Sequence, residues 1–235
     1  MSVNQLKAGT ILSYVSIGLN SFIGLIYTPY MLRMMGQSEY GLYSLAVSII
    51  AYLTILDLGF GNAIVRYTAK FRAENKQKEQ SEMFGMFLIL YSVISVITLL
   101  LGAVLYFNAG GLFDETMNSE EVQTVRIMLI LMLFNLAVTF PMSIWGSIIS
   151  AYEQFVFRRM VGLIRIILNP LVMVLLLMYS YRAIAMVVVT TLFNLTTLLI
   201  NWWYCKNRLN IQIRFAKVKW GFLREVSIYS FWIFL

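Results

Sequence analysis

Apolar residues in this chain run in long blocks with the charged residues gathered between them. Uncharged blocks cover residues 8–32, 83–113, 127–152 and 183–205, and two more, 41–65 and 160–181, carry one internal charge each. Every block is long enough for the roughly 20 residues that cross a bilayer core. The blocks are continuous and about twice as long as the alternating strands of an outer-membrane barrel, so they predict helices. The expected class is an all-α polytopic membrane protein with a lobe of six complete spans. The first block exceeds the apolar core of a cleavable signal peptide, and no small-residue cleavage site follows it, so it is expected to stay as helix one.

Composition agrees, with 60% hydrophobic and 12% charged residues and a mean hydropathy of +0.77; soluble domains carry about 25% charged residues. The placement of the bases sets an orientation. With the N-terminus in the cytoplasm, the inner segments hold Lys7, then Arg66, Lys70, Arg72, Lys76 and Lys78, then Arg158 and Arg159, then Lys206, Arg208, Arg214, Lys217, Lys219 and Arg224, which is 14 of 18. The outer ends hold Arg33, Arg126 and Arg182, Arg165 lies within a span, and the longest outer loop, NAGGLFDETMNSEEVQT, has four acids and no base. Such asymmetry is the positive-inside pattern. It accounts for the net charge of +7 through topology and anionic membrane lipid, with no call on nucleic acid.

Several chemistries are excluded. There is no histidine, so imidazole catalysis and histidine metal sites are absent, and the single cysteine, Cys205, can form neither an internal disulfide nor a thiolate cluster. The loop acids Asp114, Glu115, Glu120 and Glu121 lack partners at metal-ligand spacing and read as a solvated acidic loop. Gly59 and Gly61 imitate part of a dinucleotide fingerprint, but the third glycine is missing and the segment lies within a span. No cofactor is implied, and no enzyme is expected.

The two charges inside spans are the candidates for function. Asp57 is the one charge between Tyr40 and Arg66, and at 1.5 Å per residue it lies roughly 12 Å from the inner end of a helix that exits near Val65. A charge facing lipid at the bilayer centre costs at least about 2.5 to 3.5 kcal/mol, so the carboxylate is expected to face a cavity or a partner. Arg165 falls at a similar depth in helix five, and the two are expected to lie close, as a structural pair or as walls of a functional cavity. Pro29, Pro141 and Pro170 are expected to bend helices one, four and five. Trp202, Trp203 and Tyr204 before Lys206 read as an interfacial aromatic belt.

The last residues, SIYSFWIFL, begin a seventh apolar run of about ten residues, too short to span. The stretch Lys7 to Tyr14 echoes Arg224 to Phe231 in base, hydroxyl, isoleucine, serine and aromatic positions. A repeat on this register makes residues 1–205 an N-terminal six-helix lobe, 206–226 a basic cytoplasmic linker and 227–235 the start of helix seven, the second lobe lying beyond.

Residues 31–71, MLRMMGQSEYGLYSLAVSIIAYLTILDLGFGNAIVRYTAKF, closely resemble the N-terminal part of polysaccharide biosynthesis membrane proteins. These are the O-antigen and teichuronic-type flippases of the multidrug/oligosaccharidyl-lipid/polysaccharide exporter superfamily. The likeness rests on Gly36 with Glu39-Tyr40-Gly41-Leu42-Tyr43, and on Asp57-Leu-Gly59 with Arg66-Tyr67. It implies one lobe of a two-lobed exporter in the bacterial cytoplasmic membrane, flipping a polyprenyl-pyrophosphate-linked glycan by alternating access. Arg33, Arg66 and Arg165 are then the bases available to the pyrophosphate, because guanidinium offers planar, bidentate donors. Asp57 would hold an arginine in place or take up a coupling proton or sodium ion. A multidrug pump of the same superfamily is the alternative reading; a membrane glycosyltransferase or polymerase ranks lower because the loops are short. From the orientation, cysteines introduced at Ser81 or Asn210 are expected to resist impermeant thiol reagents added outside intact cells, and efficient labelling would reverse the topology.

Overall fold

The computed structural model describes residues 4–113, 117–179, 181–216 and 220–234, and among them only helices and connecting segments occur. The helices are α1 (Gln5–Thr54), α2 (Phe60–Ala73), α3 (Gln77–Phe113), α4 (Ser119–Ala151), α5 (Phe155–Met178), α6 (Ala183–Asn207) and α7 (Trp220–Phe234). Five helical stretches are long and apolar enough to cross a membrane: residues 5–73 taken together, and one in each of α3, α4, α5 and α6.

The first stretch is not one rod. Gly36 sits at φ 82° and ψ 167°, the one non-helical residue inside α1, in a region of backbone space that only glycine enters cheaply. Tyr27 and Tyr43 line the same cavity, although a continuous helix would hold them roughly 24 Å apart. The chain therefore folds back at Gly36, giving a first arm, 5–35, and a second arm, 37–54. Pro29 stays within the first arm, and the reversal falls at the glycine.

Side-chain ties mark the two ends of the bundle. At one end the Gln5 Oε1 accepts from the Val156 N–H at 3.1 Å. There Arg72 donates to the Ala151 carbonyl at 3.0 Å, Gln80 to the Tyr152 hydroxyl at 3.0 Å and Tyr204 to Gln154 at 3.1 Å. At the other end Ser38, just past the reversal, donates to Glu121 at 2.6 Å, and Arg182 pairs with Glu39 at 3.1 Å. Glu121 also closes a capping box with Asn118, so this loop acid orders the start of α4. Asp114 and Glu115 lie outside the described residues. Most basic residues gather at the first end, called here the basic end.

Helix α4 is central and packs on α1, α2, α3, α5 and α6. One apolar cluster around Phe84, Phe87, Tyr91, Ile144 and Ile148 joins α2, α3 and α4. Two more, around Met128 and Leu129 and around Met31 and Met186, join both arms of α1 to α4, α5 and α6. The outward surface is apolar too, with Ile11, Phe22, Leu25, Leu100, Leu171 and Leu192 all exposed. A surface of this kind suits hydrocarbon.

Two segments depart from the expected pattern. The span expected over 41–65 is broken: Ile55–Asp57 form a 3-10 turn, Leu58 and Gly59 are left-handed at φ 49° and 71°, and α2 starts at Phe60. After α6 the chain turns at Leu209 and left-handed Asn210 (φ 49°) and then runs as a non-helical, extended segment over 211–216, with Leu209, Ile211 and Ile213 packed on the core and Asn210, Gln212 and Arg214 outward. That alternation has the period of a strand, within the stretch expected to be only a linker.

Gly36→Ala is expected to lower stability by about 1–3 kcal/mol, because the added Cβ meets a forbidden backbone conformation. Gly18→Ala, on the open face of the first arm with nothing within 4 Å of the new carbon, should be near neutral. Thermal denaturation in detergent compares the two.

Candidate functional site

Two polar groups lie inside the apolar bundle. The first is built on the break before α2. Interrupting a helix strands backbone donors, which are tolerated at membrane depth only when the protein itself supplies partners. Here the Leu58 N–H reaches the Ile55 carbonyl at 3.0 Å, and the Asn62 N–H reaches the Gly59 carbonyl at 3.0 Å. The Asp57 carboxylate lies near the Gly59 N–H, the two-residue separation that an Asx turn spans. Asp57 is half-buried at the break.

Across from it, the buried Tyr91 hydroxyl faces both Asp57 and Ser143 without a hydrogen bond of ordinary geometry to either. Tyr91 is held by Phe60, edge-on at 6.3 Å, and by Phe140, stacked at 6.5 Å. The aromatic packing fixes the ring, so the hydroxyl cannot turn away. A carboxylate beside two hydroxyls is an oxygen-rich group that suits a proton or a hard cation.

The second group centres on Arg165 of α5. Its Nη1 donates to Asn194 Oδ1 at 2.9 Å, and the Asn194 amide donates onward to Asn135 at 2.8 Å and Thr139 at 2.7 Å. Three helices are joined by this network, and every partner in it is uncharged. Arg165 also lines a cavity of about 350 Å³ with Asn20, Tyr27, Tyr43, Asn169 and Thr190. Both Tyr27 Oη and Asn169 Oδ1 are buried there without a hydrogen-bond partner. The pocket thus presents a permanent cation, unspent polar atoms and no carboxylate in its wall.

Asp57 and Arg165 do not pair. The ion pairs among the described residues are Lys76–Glu74 and Arg182–Glu39, and each intramembrane charge has neutral neighbours of its own. The expected pair does not form: Asp57 lies beside Tyr91 of α3, whereas Arg165 is hydrogen-bonded to Asn194 of α6. Arg33 lies exposed near the Gly36 reversal. Arg66 stacks over Tyr229 of α7 at 4.2 Å, next to Tyr67, whose hydroxyl donates to Glu225 at 2.8 Å. Neither base lines the Arg165 cavity. Cys205 is buried, with its sulfur 3.4 Å from the Trp145 carbonyl.

Asn135, Thr139 and Asn194 escape a reading that tracks charges alone. Their signal was present as neutral polar residues deep in apolar blocks, which in hydrocarbon need one another.

Residues 6–235 match the family described as "Polysaccharide biosynthesis protein". A solved structure shares the fold: a MOP superfamily transporter from Pyrococcus furiosus, whose binding pocket of reverse polarity is described as suggesting a different function. It has a TM-score of 0.63 and 14% identity, the alignment covering 97% of this chain and 53% of that one. The chain spans about half the length of that transporter. No match was found among curated proteins.

Asn194→Leu should strip Arg165 of its acceptor and leave a buried charge with one partner fewer. A loss of about 1–3 kcal/mol is expected, and adding Arg165→Met should restore part of it. Chemical or thermal denaturation of the single and double variants gives the comparison.

Proposed function

Because the chain belongs to the polysaccharide biosynthesis protein family, we propose that it is part of a membrane transporter that flips a polyprenyl-pyrophosphate-linked oligosaccharide across the bacterial cytoplasmic membrane by alternating access. Counting the two arms of α1 separately gives six spans, one lobe, with α7 opening the second. The cargo's pyrophosphate is the chemistry that the Arg165 cavity suits. One observation carries this reading: an arginine within a membrane helix, held toward a polar cavity by amides alone.

A guanidinium at membrane depth is costly. A carboxylate partner would offset that cost but would also silence the charge toward any ligand. Amides hold the side chain and leave its charge whole, as an anion receptor requires, and the planar fork suits phosphate oxygens. A pump for cationic drugs needs the opposite sign in this wall. Asp57, apart from Arg165 and beside Tyr91 and Ser143, is then the group that takes up a coupling proton or sodium ion. The orientation follows the charge count, with the basic end in the cytoplasm.

Arg165→Ala in the full-length protein should reduce flipping of a lipid-linked oligosaccharide in proteoliposomes by roughly tenfold or more, the worth of one or two charge-assisted hydrogen bonds. Asp57→Asn keeps the shape of the side chain and one carbonyl acceptor while removing its charge, so it should leave thermal stability nearly unchanged while slowing flipping. Normal flipping by Arg165→Ala would overturn the anion reading. Efflux of cationic drugs in place of glycolipid would favour the multidrug alternative, and sugar transfer from a polyprenyl donor would favour the enzyme.

A further inference from the structure

A second cavity, at the basic end, shares no lining residue with the Arg165 pocket. It encloses about 770 Å³ between the end of α2, the start of α3, the turn after α4 and the extended segment after α6. Arg72, Lys78 and Arg214 line it, together with Gln77, Asn210 and Gln212, and no carboxylate does. We propose that this cavity binds the phosphate group of an anionic ligand at the membrane surface. The inference stands apart from the transport reading and does not depend on it.

The three cations reach the cavity by separate routes, each fixed by the fold. Arg72 lies in the last turn of α2, spends one N–H on the Ala151 carbonyl at 3.0 Å and stacks over Tyr152 at 4.1 Å. Its other guanidinium donors remain. Arg214 comes from the extended segment, whose register is set twice: the Ile211 N–H reaches the Cys205 carbonyl at 3.1 Å and the Arg214 N–H reaches the Ser81 carbonyl at 3.1 Å. The Arg214 backbone lies so close over Gly85 of α3 that any Cβ there would strike it. Ile211 and Ile213 pack half-buried on the core, Asn210, Gln212 and Arg214 are exposed, and Leu209 and Ile211 line the cavity beside those polar side chains.

Lys78 stands in the first turn of α3, beside Gln77. Helix α3 is 37 residues long, and its N-terminal N–H groups add a fixed partial positive charge at this spot. Lys78 and Arg214 have no carboxylate partner among the described residues. The nearby acid Glu74 is paired with Lys76 at 2.7 Å, and Glu79 lines a different hollow, with Phe71 and Met83.

Membrane topology explains why bases collect at one end of the bundle, but not why three of them converge on one hollow that acids avoid. Their mutual repulsion is relieved when an anion neutralises them. Phosphate fits better than a monovalent ion, because it can accept from two arginines, a lysine and the side-chain amides together. The size suits a phosphorylated headgroup or free phosphate, and the two sources are separable by experiment.

The test uses full-length protein in neutral detergent, following the thermal midpoint against inorganic phosphate, a short-chain phosphatidic acid and a short-chain phosphatidylcholine. A saturable rise with phosphatidic acid and with phosphate indicates recognition of the phosphate group alone; a rise with phosphatidic acid only indicates a lipid headgroup. In either case the half-saturating concentration should increase roughly tenfold in Lys78→Gln/Arg214→Gln, and should not change in Lys7→Gln/Arg208→Gln, which removes the same charge from the same end. Each single substitution is measured in parallel, so a folding defect in the pair does not decide the outcome. No response to either phosphate compound, equal weakening in both double variants, or an equal response to phosphatidylcholine would overturn the proposal.

Discussion

Hydrocarbon offers no hydrogen bonds, and this constraint governs the structure wherever the chain departs from plain helix. Each interruption or polar side chain at membrane depth must find its partner within the protein. The break at residues 55–59 shows how that works locally: the Leu58 N–H donates to the Ile55 carbonyl, the Asn62 N–H donates to the Gly59 carbonyl, and left-handed Leu58 and Gly59 let two helical pieces meet at an angle. At the Arg165 site the same demand is met over distance, by Asn194, Asn135 and Thr139 from neighbouring helices. The partners are polar enough to hold a guanidinium and neutral enough to leave its charge intact.

That division matters for the sign of each site. Had Asp57 and Arg165 met, the pair would have cancelled in a low-dielectric interior and left little field for a ligand. Kept apart, one group is an oxygen-rich acid and the other a cation in a hollow without acids. Rigid surroundings preserve the separation. Tyr91 is wedged by Phe60 and Phe140, and α5 is tied to the chain start through the Gln5 contact with Val156.

The short motifs at the two ends of the second arm have distinct mechanical roles. Gly36 permits the reversal, Glu39 ties it to Arg182, Leu42 is buried against α4 and α6, and Tyr43 faces the Arg165 cavity. At the far end Asp57 and Gly59 make the break, while Arg66 and Tyr67 receive α7 through Tyr229 and Glu225. A stretch that reads as one family signature is therefore a series of joints.

The sequence by itself determined the class, the rough extent of the helical blocks and the gathering of bases at one end, because hydrophobic transfer and charge placement act residue by residue and need no knowledge of neighbours; the family was legible only through the resemblance carried by the motifs of residues 31–71. It also singled out Asp57 and Arg165 as costly charges inside apolar blocks. Only the tertiary structure decided what each of them faces. Depth along a helix can be read from spacing, but azimuth depends on how helices rotate and pack, and the fold set Asp57 beside Tyr91 with no ion pair to Arg165. The same holds for the amides of Asn135 and Asn194 and for the alternation at 209–216: neutral polar residues carry little signal alone, and their meaning comes from partners brought together across long stretches of chain.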